Sequence, residues 1–551
     1  MCYYVIEDRH VTTWRFFIFE RLKKFPNILS AVLSGLLLSA AWFKPYTLFL
    51  FVALVPLLVM VNSIHNSEPR KKGLKIWGLS YVTFFLWNIL VTWWISNASF
   101  EGAVMAIVCN ALLMSWVFLI WYGVEKRLYG TLKFWLLVPI WMAWEWGHTL
   151  WDLTWPWLSL GNCFSNTANF IQWYEITGAS GGTLWALTAN ILIAKIVLSD
   201  AKNIKSWIKP VAVIFVPIII SFIILGMRSV ETEKKINVTV IQPNIDPYDE
   251  KFVLEFNQQL HQLHQQLSNS KLNKNTELVV LPETFIIEDI LENNYKESPQ
   301  LKSLISLMRI HFPKAAILTG AGSIHEYMPG ETKSATARKF SNSNDYYDSY
   351  NTGIYIDTAN KCTFYHKSKL VPGVECMPFP WFFHYFENFA IELGGTSGSL
   401  GTQKERTLFK DDLYKINVAP AICYESIYGD FMSEYIRKGA QVIAIITNDG
   451  WWGNTPGHRQ HLSYAKLRAI ETRKQIIRSA NTGISCFIDE FGNIEQAQPY
   501  WEFAVINQDV SINNGKTFFV RFGDILSYAS AIFAIFLVVY SRLKRKQNTV
   551  A

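Results

Sequence analysis

The chain has 551 residues, too many for one soluble core, and half of them are hydrophobic, with 22 Trp, 24 Tyr and 37 Phe. Its Lys, Arg, Asp and Glu residues are gathered into particular stretches, which marks a membrane protein with a water-soluble part and argues against a string of soluble domains. The formal charge of +7 gives no support to nucleic-acid binding, because the Lys and Arg outside the soluble part lie in short loops between apolar runs, as topology requires.

In chain order, apolar runs near 26–43, 46–64, 74–95, 102–124, 134–151, 182–198 and 209–227 are each expected to cross a bilayer, for which about 20 helical residues suffice. An eighth follows near 518–540. Ser39, Ala40 and Ala41 resemble a signal-peptide cleavage site, but a second run follows at once, so the first is read as an uncleaved span. Every second connection is basic: Arg9 to Lys24, Arg70 to Lys75, Lys126 to Lys133, Lys202 to Lys209, and Arg542 to Lys546. Stretches 96–101 and 152–181 contain no Lys or Arg. Positive-inside bias then puts both termini in the cytoplasm and the large segment after the seventh span on the other side. Three parts result: 1–227 with seven spans, a soluble segment 228–517, and 518–551 with the last span and a tail. Glu145 is the one charged residue in the middle of a predicted span, and a structural role near the membrane surface is expected for it.

In the soluble segment, short apolar strands at 238–242, 278–281, 316–319, 354–356, 416–422 and 442–447 alternate with amphipathic helices, the pattern of a layered α/β fold. Within 251–270, Phe252, Phe256, Leu260, Leu263 and Leu267 share one helical face that should cover a sheet. Residues 323–348, rich in Ser, Asn, Asp and Lys, read as an exposed loop. The seven cysteines are scattered without a C-x-x-C pair, so neither a zinc site nor a full disulfide framework is indicated. Cys362 and Cys376 could pair in an oxidising compartment. His261 with His264, and His458 with His461, lack the second half of a metal motif and read as surface or structural.

Three stretches put a reactive group at the end of an apolar strand: LVVLPETF with Glu283, FYHKSKLVPGVE with Lys367 and Glu375, and VAPAICYES with Cys423, after which a helix is expected from about Ser426. Singly each is ordinary, since a lone Cys in a strand is most often buried and inert. Together, in the order Glu, Lys, Cys, they resemble the carbon–nitrogen hydrolase, or nitrilase, superfamily, whose triad is a general-base Glu, a Lys and a nucleophilic Cys. That resemblance implies a four-layer αββα sandwich over 228–517. Residues 448–492 and 145–162 are similar to segments of the bacterial apolipoprotein N-acyltransferases.

Carried over by position, the resemblance gives Glu283 as base, Lys367 as the lysine, Cys423 as nucleophile, Tyr424 and Glu425 as residues required beside it, and Glu375 as a further essential acid. It departs from the family in having Gly373 before Val374, and in lacking a Trp after the first strand, where Tyr248 or Phe252 stands instead. It implies transfer of an acyl chain from a phospholipid, phosphatidylethanolamine-like, to the amine of diacylglyceryl-cysteine in apolipoproteins, at the bacterial inner membrane, with a periplasmic catalytic domain and no cofactor or metal. In such chemistry Glu283 takes the thiol proton, Lys367 and the Tyr424 N–H hold the oxyanion, and Glu375 fixes Lys367. A membrane-anchored amidase using the same triad, and a scaffold with an inactive domain, remain the rival readings; the many spans favour a lipid substrate. The stretch 377–386 reads either as core or as an apolar lid led by Trp381 and Phe382, which would meet lipid at the interface.

Overall fold

A computed structural model describes residues 25–67, 71–199, 203–227, 234–248, 255–376 and 399–550, with side chains as far as Lys544. The N-terminal part is a helical bundle: α1 (Asn27–Ala41), α2 (Val55–Asn66), α3 (Lys72–Thr92), α4 (Phe100–Tyr129), α5 (Leu137–Gly147), α6 (Ala179–Leu198) and α7 (Ile208–Met227). Local signals fix these ends. In α4, the Ser99 side chain accepts from Gly102 N at 3.0 Å at the start, while Lys126 and Arg127 occupy the last turn and Gly130 adopts the left-handed cap. The bundle interior is aromatic: Phe118 meets Phe84 at 5.3 Å and Trp141 at 5.8 Å, and Trp87, Trp121 and Trp141 are fully buried. In contrast α7 leaves Val211, Phe215, Ile219 and Phe222 exposed, a face suited to lipid.

The stretches Tyr46–Asn66, Lys72–Asn97, Phe100–Tyr129, Ala179–Leu198, Ile204–Met227 and Ile525–Lys544 are long and apolar enough to cross a membrane. The runs at 26–43 and 134–151 are apolar for longer than they are helical. They form α1 and α5, of 15 and 11 residues, or about 22 and 16 Å against a hydrocarbon core of about 30 Å. Phe134, in a left-handed conformation, delays the start of α5, and the chain turns beyond Gly147.

The second part is a sandwich of two mixed sheets. The first contains β1 (Lys234–Gln242), β2 (Leu278–Val280), β3 (Ile286–Leu291), β4 (Ala316–Glu326), β5 (Arg338–Lys339), β6 (Tyr346–Ile356), β7 (Cys362–His366) and β14 (Ala504–Ile512). Its order is β14-β1-β2-β4-β6-β5, with β3 paired to β4 and β7 to β6. The second holds β8 (Phe409–Asp411), β9 (Ile416–Ile422), β10 (Val442–Thr447), β11 (Ile476–Ala480), β12 (Cys486–Ile488) and β13 (Ile494–Glu495), in the order β13-β12-β11-β10-β9-β8. Period-two alternation sorts the strands. Val238, Val240, Leu278 and Val280 join the core between the sheets, whereas Ile241, Val279 and Ile317 join a second core with helices α8 (Phe256–Ser268) and α9 (Pro299–His311). Helices α10 (Gly429–Arg437) and α11 (Pro456–Thr472) cover the second sheet, completing αββα layers. The chain then ends in α12 (Ile525–Val550), which packs on α5.

Two details of this part bear on the expectations. Most of 323–348 is the expected loop, largely exposed, interrupted by short strand pieces where β4 runs to Glu326, β5 covers Arg338–Lys339 and β6 begins at Tyr346; Asp348 accepts the hydroxyls of Tyr327, Ser334 and Thr336, so polar contacts order a stretch with no apolar period. The other concerns α11, whose residues are buried on nearly every side although many are polar. It lies between the second sheet and the bundle. Gln460 accepts from Trp157 Nε1 at 2.7 Å and donates to Val91 O at 3.2 Å; Tyr464 accepts from Trp42 Nε1 at 3.0 Å; Lys466 donates to Ser165 O at 2.6 Å; and Glu471 accepts from Ala179 N at 2.9 Å. Of the two readings of His458 and His461, both on this helix, the structural one therefore stands, since both are interior residues.

Candidate active site

Three strand ends converge between the sheets. After β2 the chain turns at Pro282, and Glu283 is followed by Thr284 with φ of 48°. The turn lies so close to β4 that a Cβ on Gly320 would sit 2.5 Å from the Thr284 nitrogen, so glycine is required there. Lys367 follows β7, its backbone N–H donating to Asn351 O on β6 at 2.8 Å. Cys423 follows β9 with φ of 51°, a left-handed conformation that a non-glycine residue rarely adopts. A 3-10 turn, Cys423–Ile427, comes next, and α10 starts only at Gly429, later than the expected Ser426.

The side chains form a closed ring of donors and acceptors. Lys367 Nζ donates to Glu283 Oε1 at 3.1 Å and to Glu375 Oε1 at 2.8 Å, and Asn351 Nδ2 donates to the same two oxygens at 2.8 and 2.9 Å. The remaining oxygens are held by backbone: Asn448 N donates to Glu283 Oε2 at 3.0 Å and Val371 N to Glu375 Oε2 at 2.8 Å. The Gly373 departure is absorbed locally, since its left-handed conformation (φ 81°) closes a turn in which Gly373 N donates to Cys376 O at 2.8 Å, with Glu375 still reaching Lys367.

Burial works against the charge of Lys367, yet the carboxylates of Glu283 and Glu375 outweigh it and hold its pKa well above the ordinary value. The Cys423 thiol is pushed up, first by burial and then by Glu283, with Lys367 opposing. The resting sulfur is thus a thiol, and nucleophilic attack needs a base at hand. Glu425 does not face this ring. Its carboxylate, fully buried, accepts from Tyr365 Oη at 2.7 Å, Ser368 N at 2.6 Å and Ile422 N at 2.8 Å, tying the Cys423 turn to the Lys367 loop. Tyr424 Oη donates to Thr154 O of the bundle at 2.9 Å. Its backbone N–H lies in the first turn of the 3-10 segment, where such groups have no intrahelical partner.

A second buried network supports the Cys423 turn from below. His461 Nε2 lies 3.1 Å from Cys423 O and Nδ1 lies 2.9 Å from Asp449 Oδ1, while Arg478 pairs with the other Asp449 oxygen. Burial opposes the Asp449 charge, but Arg478 and His461 prevail and hold its pKa well below the carboxylate range. Ligand atoms of Cys423, Asp449 and His461 come within 4.8 Å of one another, but the guanidinium already neutralises the carboxylate and would repel a cation, so the donor set does not fit a metal.

Cys423 and Tyr424 open onto an apolar cavity whose far wall is the bundle: Gly102, Met105, Ala106, Cys109 and Leu113 of α4, with Trp94, Trp155 and Trp157. From Gly102 to Leu113 that wall extends about 16 Å along the helix. Tyr248, which stands where the family has its Trp, is not among the residues lining this cavity. Its hydroxyl donates to Asn97 O at 3.2 Å and Trp451 O at 2.7 Å, so it ties the bundle to the sandwich beside the cavity. Trp381 and Phe382, and Phe252, lie outside the described residues. Cys362 and Cys376 are free thiols. Glu145 accepts from Trp141 Nε1, Leu160 N and Thr183 Oγ1, which fixes the loop after α5 as a structural acid would.

Asn351, Asp449, His461 and Arg478 escaped sequence reasoning. Asn351 sits in a polar stretch with no distinguishing spacing, and His461 reads as surface or structural because it completes no metal motif, although the sequence NDG, with Asp449 twelve residues before it, ends an apolar strand as the triad residues do.

A Glu-Lys-Cys cluster between two sheets of an αββα sandwich is the arrangement of a carbon–nitrogen hydrolase, and residues 237–516 match that family. Residues 34–192 match the apolipoprotein N-acyltransferase N-terminal domain. The apolipoprotein N-acyltransferase of Chlorobaculum tepidum is 28% identical over 532 residues, covering 94% of this chain and 96% of that one. Those of Geobacter metallireducens (26% identical, 91% and 93% covered) and Thermotoga maritima (23% identical, 96% of each) are similar along their whole length. The chain belongs to the carbon–nitrogen hydrolase superfamily and, within it, to the membrane-embedded apolipoprotein N-acyltransferases.

Proposed function

We propose that the protein transfers a fatty acyl chain from a phospholipid to the amine of a diacylglyceryl-modified cysteine at the N-terminus of apolipoproteins, through a thioester on Cys423. The observation that carries this reading is the apolar cavity leading from Cys423 along α4, because a hydrolase of small soluble amides has no use for a long wall of membrane helix.

In the first half-reaction Glu283 accepts the Cys423 proton as sulfur attacks the lipid ester, and it returns that proton to the departing lysophospholipid oxygen. Lys367 and the Tyr424 N–H stabilise the tetrahedral oxyanion, each such donor contributing on the order of 3 kcal/mol. Glu375 and Asn351 keep the ammonium in place. In the second half-reaction the lipoprotein amine attacks the thioester, Glu283 accepts its proton and returns it to the Cys423 sulfur as the C–S bond breaks, and the N-acyl amide is released. The domains are taken as 1–227, 228–517 and 518–551, with both termini cytoplasmic and the sandwich periplasmic, on the strength of the alternating basic loops. The test is direct. Purified enzyme given phospholipid alone should accumulate one acyl group on the Cys423 peptide, released by neutral hydroxylamine and by diacylglyceryl peptide. Cys423→Ala should carry none. Free fatty acid in place of a stable adduct would favour the amidase reading, and transfer by the Ala variant at the wild-type rate would falsify the mechanism.

A further inference from the structure

The wall of the cavity beside the nucleophile carries two N–H donors with no hydrogen-bond partner among the described residues, Nε2 of His148 and Nε1 of Trp155. The His148 tautomer follows from its neighbour: the indole N–H of Trp151 donates to His148 Nδ1 at 2.8 Å, and an indole nitrogen only donates, so Nδ1 is bare and the hydrogen is on Nε2. His148 is 4% exposed and is held by stacking on Trp144 at 4.5 Å. Trp155 is stacked between Trp157 at 5.3 Å and Tyr424 at 6.1 Å, which puts its indole against the turn that carries Cys423. Both nitrogens are shielded from water, so an unpaired N–H there costs free energy that an acceptor oxygen would recover.

The charge of the wall selects the acceptor. Among the described residues lining the cavity there is no Lys, Arg, Asp or Glu. Two neutral donors in an apolar wall suit a neutral oxygen, and a phosphate, which carries a charge that needs a cation, is disfavoured. We infer that His148 Nε2–H and Trp155 Nε1–H seat an ester carbonyl of a diacylglyceryl group, namely that of the acyl chain which stays on the glycerol, and so select diacyl over ether-linked lipids. This rests on the acyl-transfer reading above. Both substrates carry that chemistry, the phospholipid donor and the diacylglyceryl-cysteine acceptor.

The full-length enzyme in detergent separates the two sources. In one arm, acylation of Cys423 is timed with a phospholipid diester and with a matched lipid whose retained chain is ether-linked. In the other, preformed acyl-enzyme is discharged by a diacylglyceryl-cysteine peptide or by its dialkyl counterpart. The seat predicts a preference for the ester of about fivefold to tenfold in one arm, the loss expected for a hydrogen bond, and the arm that shows it names the source. Trp155→Phe, which keeps the ring, and His148→Phe should each reduce that preference while melting like the wild type. Equal rates for ester and ether in both wild-type arms would overturn the seat while leaving the acyl-enzyme intact, and a preference unchanged in both variants would do the same. Failure of wild-type enzyme to acylate Cys423 with either lipid would instead overturn the functional reading, and the seat with it.

Discussion

Glu283 acts on Cys423 in two opposed ways, as the base that the thiol needs and, after burial, as the negative charge that helps to keep the thiol protonated. The two separate experimentally. Glu283→Gln should lower acyl transfer by about 10²–10⁴-fold, the usual contribution of a general base. The same change should speed iodoacetamide alkylation of Cys423 at pH 8, because removing the carboxylate lets the thiol pKa fall toward its ordinary value. In the wild type, alkylation should rise only as pH climbs beyond the usual thiol range. Slower alkylation of the Gln variant at pH 8, read on the Cys423 peptide, would mean that Glu283 does not hold the thiol pKa up. Lys367 and Glu375 meet at 2.8 Å, so the losses caused by Lys367→Met and Glu375→Gln should combine to well under their sum; additive losses in acyl-enzyme formation would contradict that contact. At this scale the sequence was readable only through order and family likeness. Nothing in DYYDSYNTG sets Asn351 apart, because its importance lies in which oxygens it reaches across strands.

The elements that carry the site depend on buried polar joints as much as on apolar faces. Glu425 gathers donors from β7, from the loop after it and from β9, and so sets the distance between lysine and nucleophile. Glu425→Gln puts an NH2 group against one of those donors and should cost about 1–3 kcal/mol in thermal melting, with activity falling further than the loss of folded protein explains. Activity that merely tracked the folded fraction would reduce Glu425 to a packing residue. Strands β9 and β10 were legible to the residue, since both are short apolar runs, β10 buried throughout and β9 everywhere except Asn417. Helix α11 was not, because its hydrophobic pattern has no face: it is enclosed by a sheet on one side and a bundle on the other, and its polar groups find partners more than 300 residues away. Hydropathy also overstated α1 and α5, for it registers how far a run is apolar and not where the backbone turns.

Across the whole molecule, the proposed orientation makes a plain expectation. A cysteine placed at Ser334 should react with a membrane-impermeant thiol reagent added from the periplasmic side, and one placed at Ser67 should not; equal labelling would reverse or abolish the assignment. The packing of α12 on α5 carries a further consequence, for the order in which the chain is built. Helix α5 spans about half of a hydrocarbon core, and its partner α12 is synthesised only after the whole sandwich has emerged. During synthesis α5 must therefore wait beside a translocating domain with one flank unsealed, and the last helix acts as the closing stave. A chain stopped at residue 517 should be degraded in cells although every residue of the catalytic ring is present, and supplying 518–551 as a separate peptide should restore its level. A stable, active truncated chain would show that the bundle closes without it.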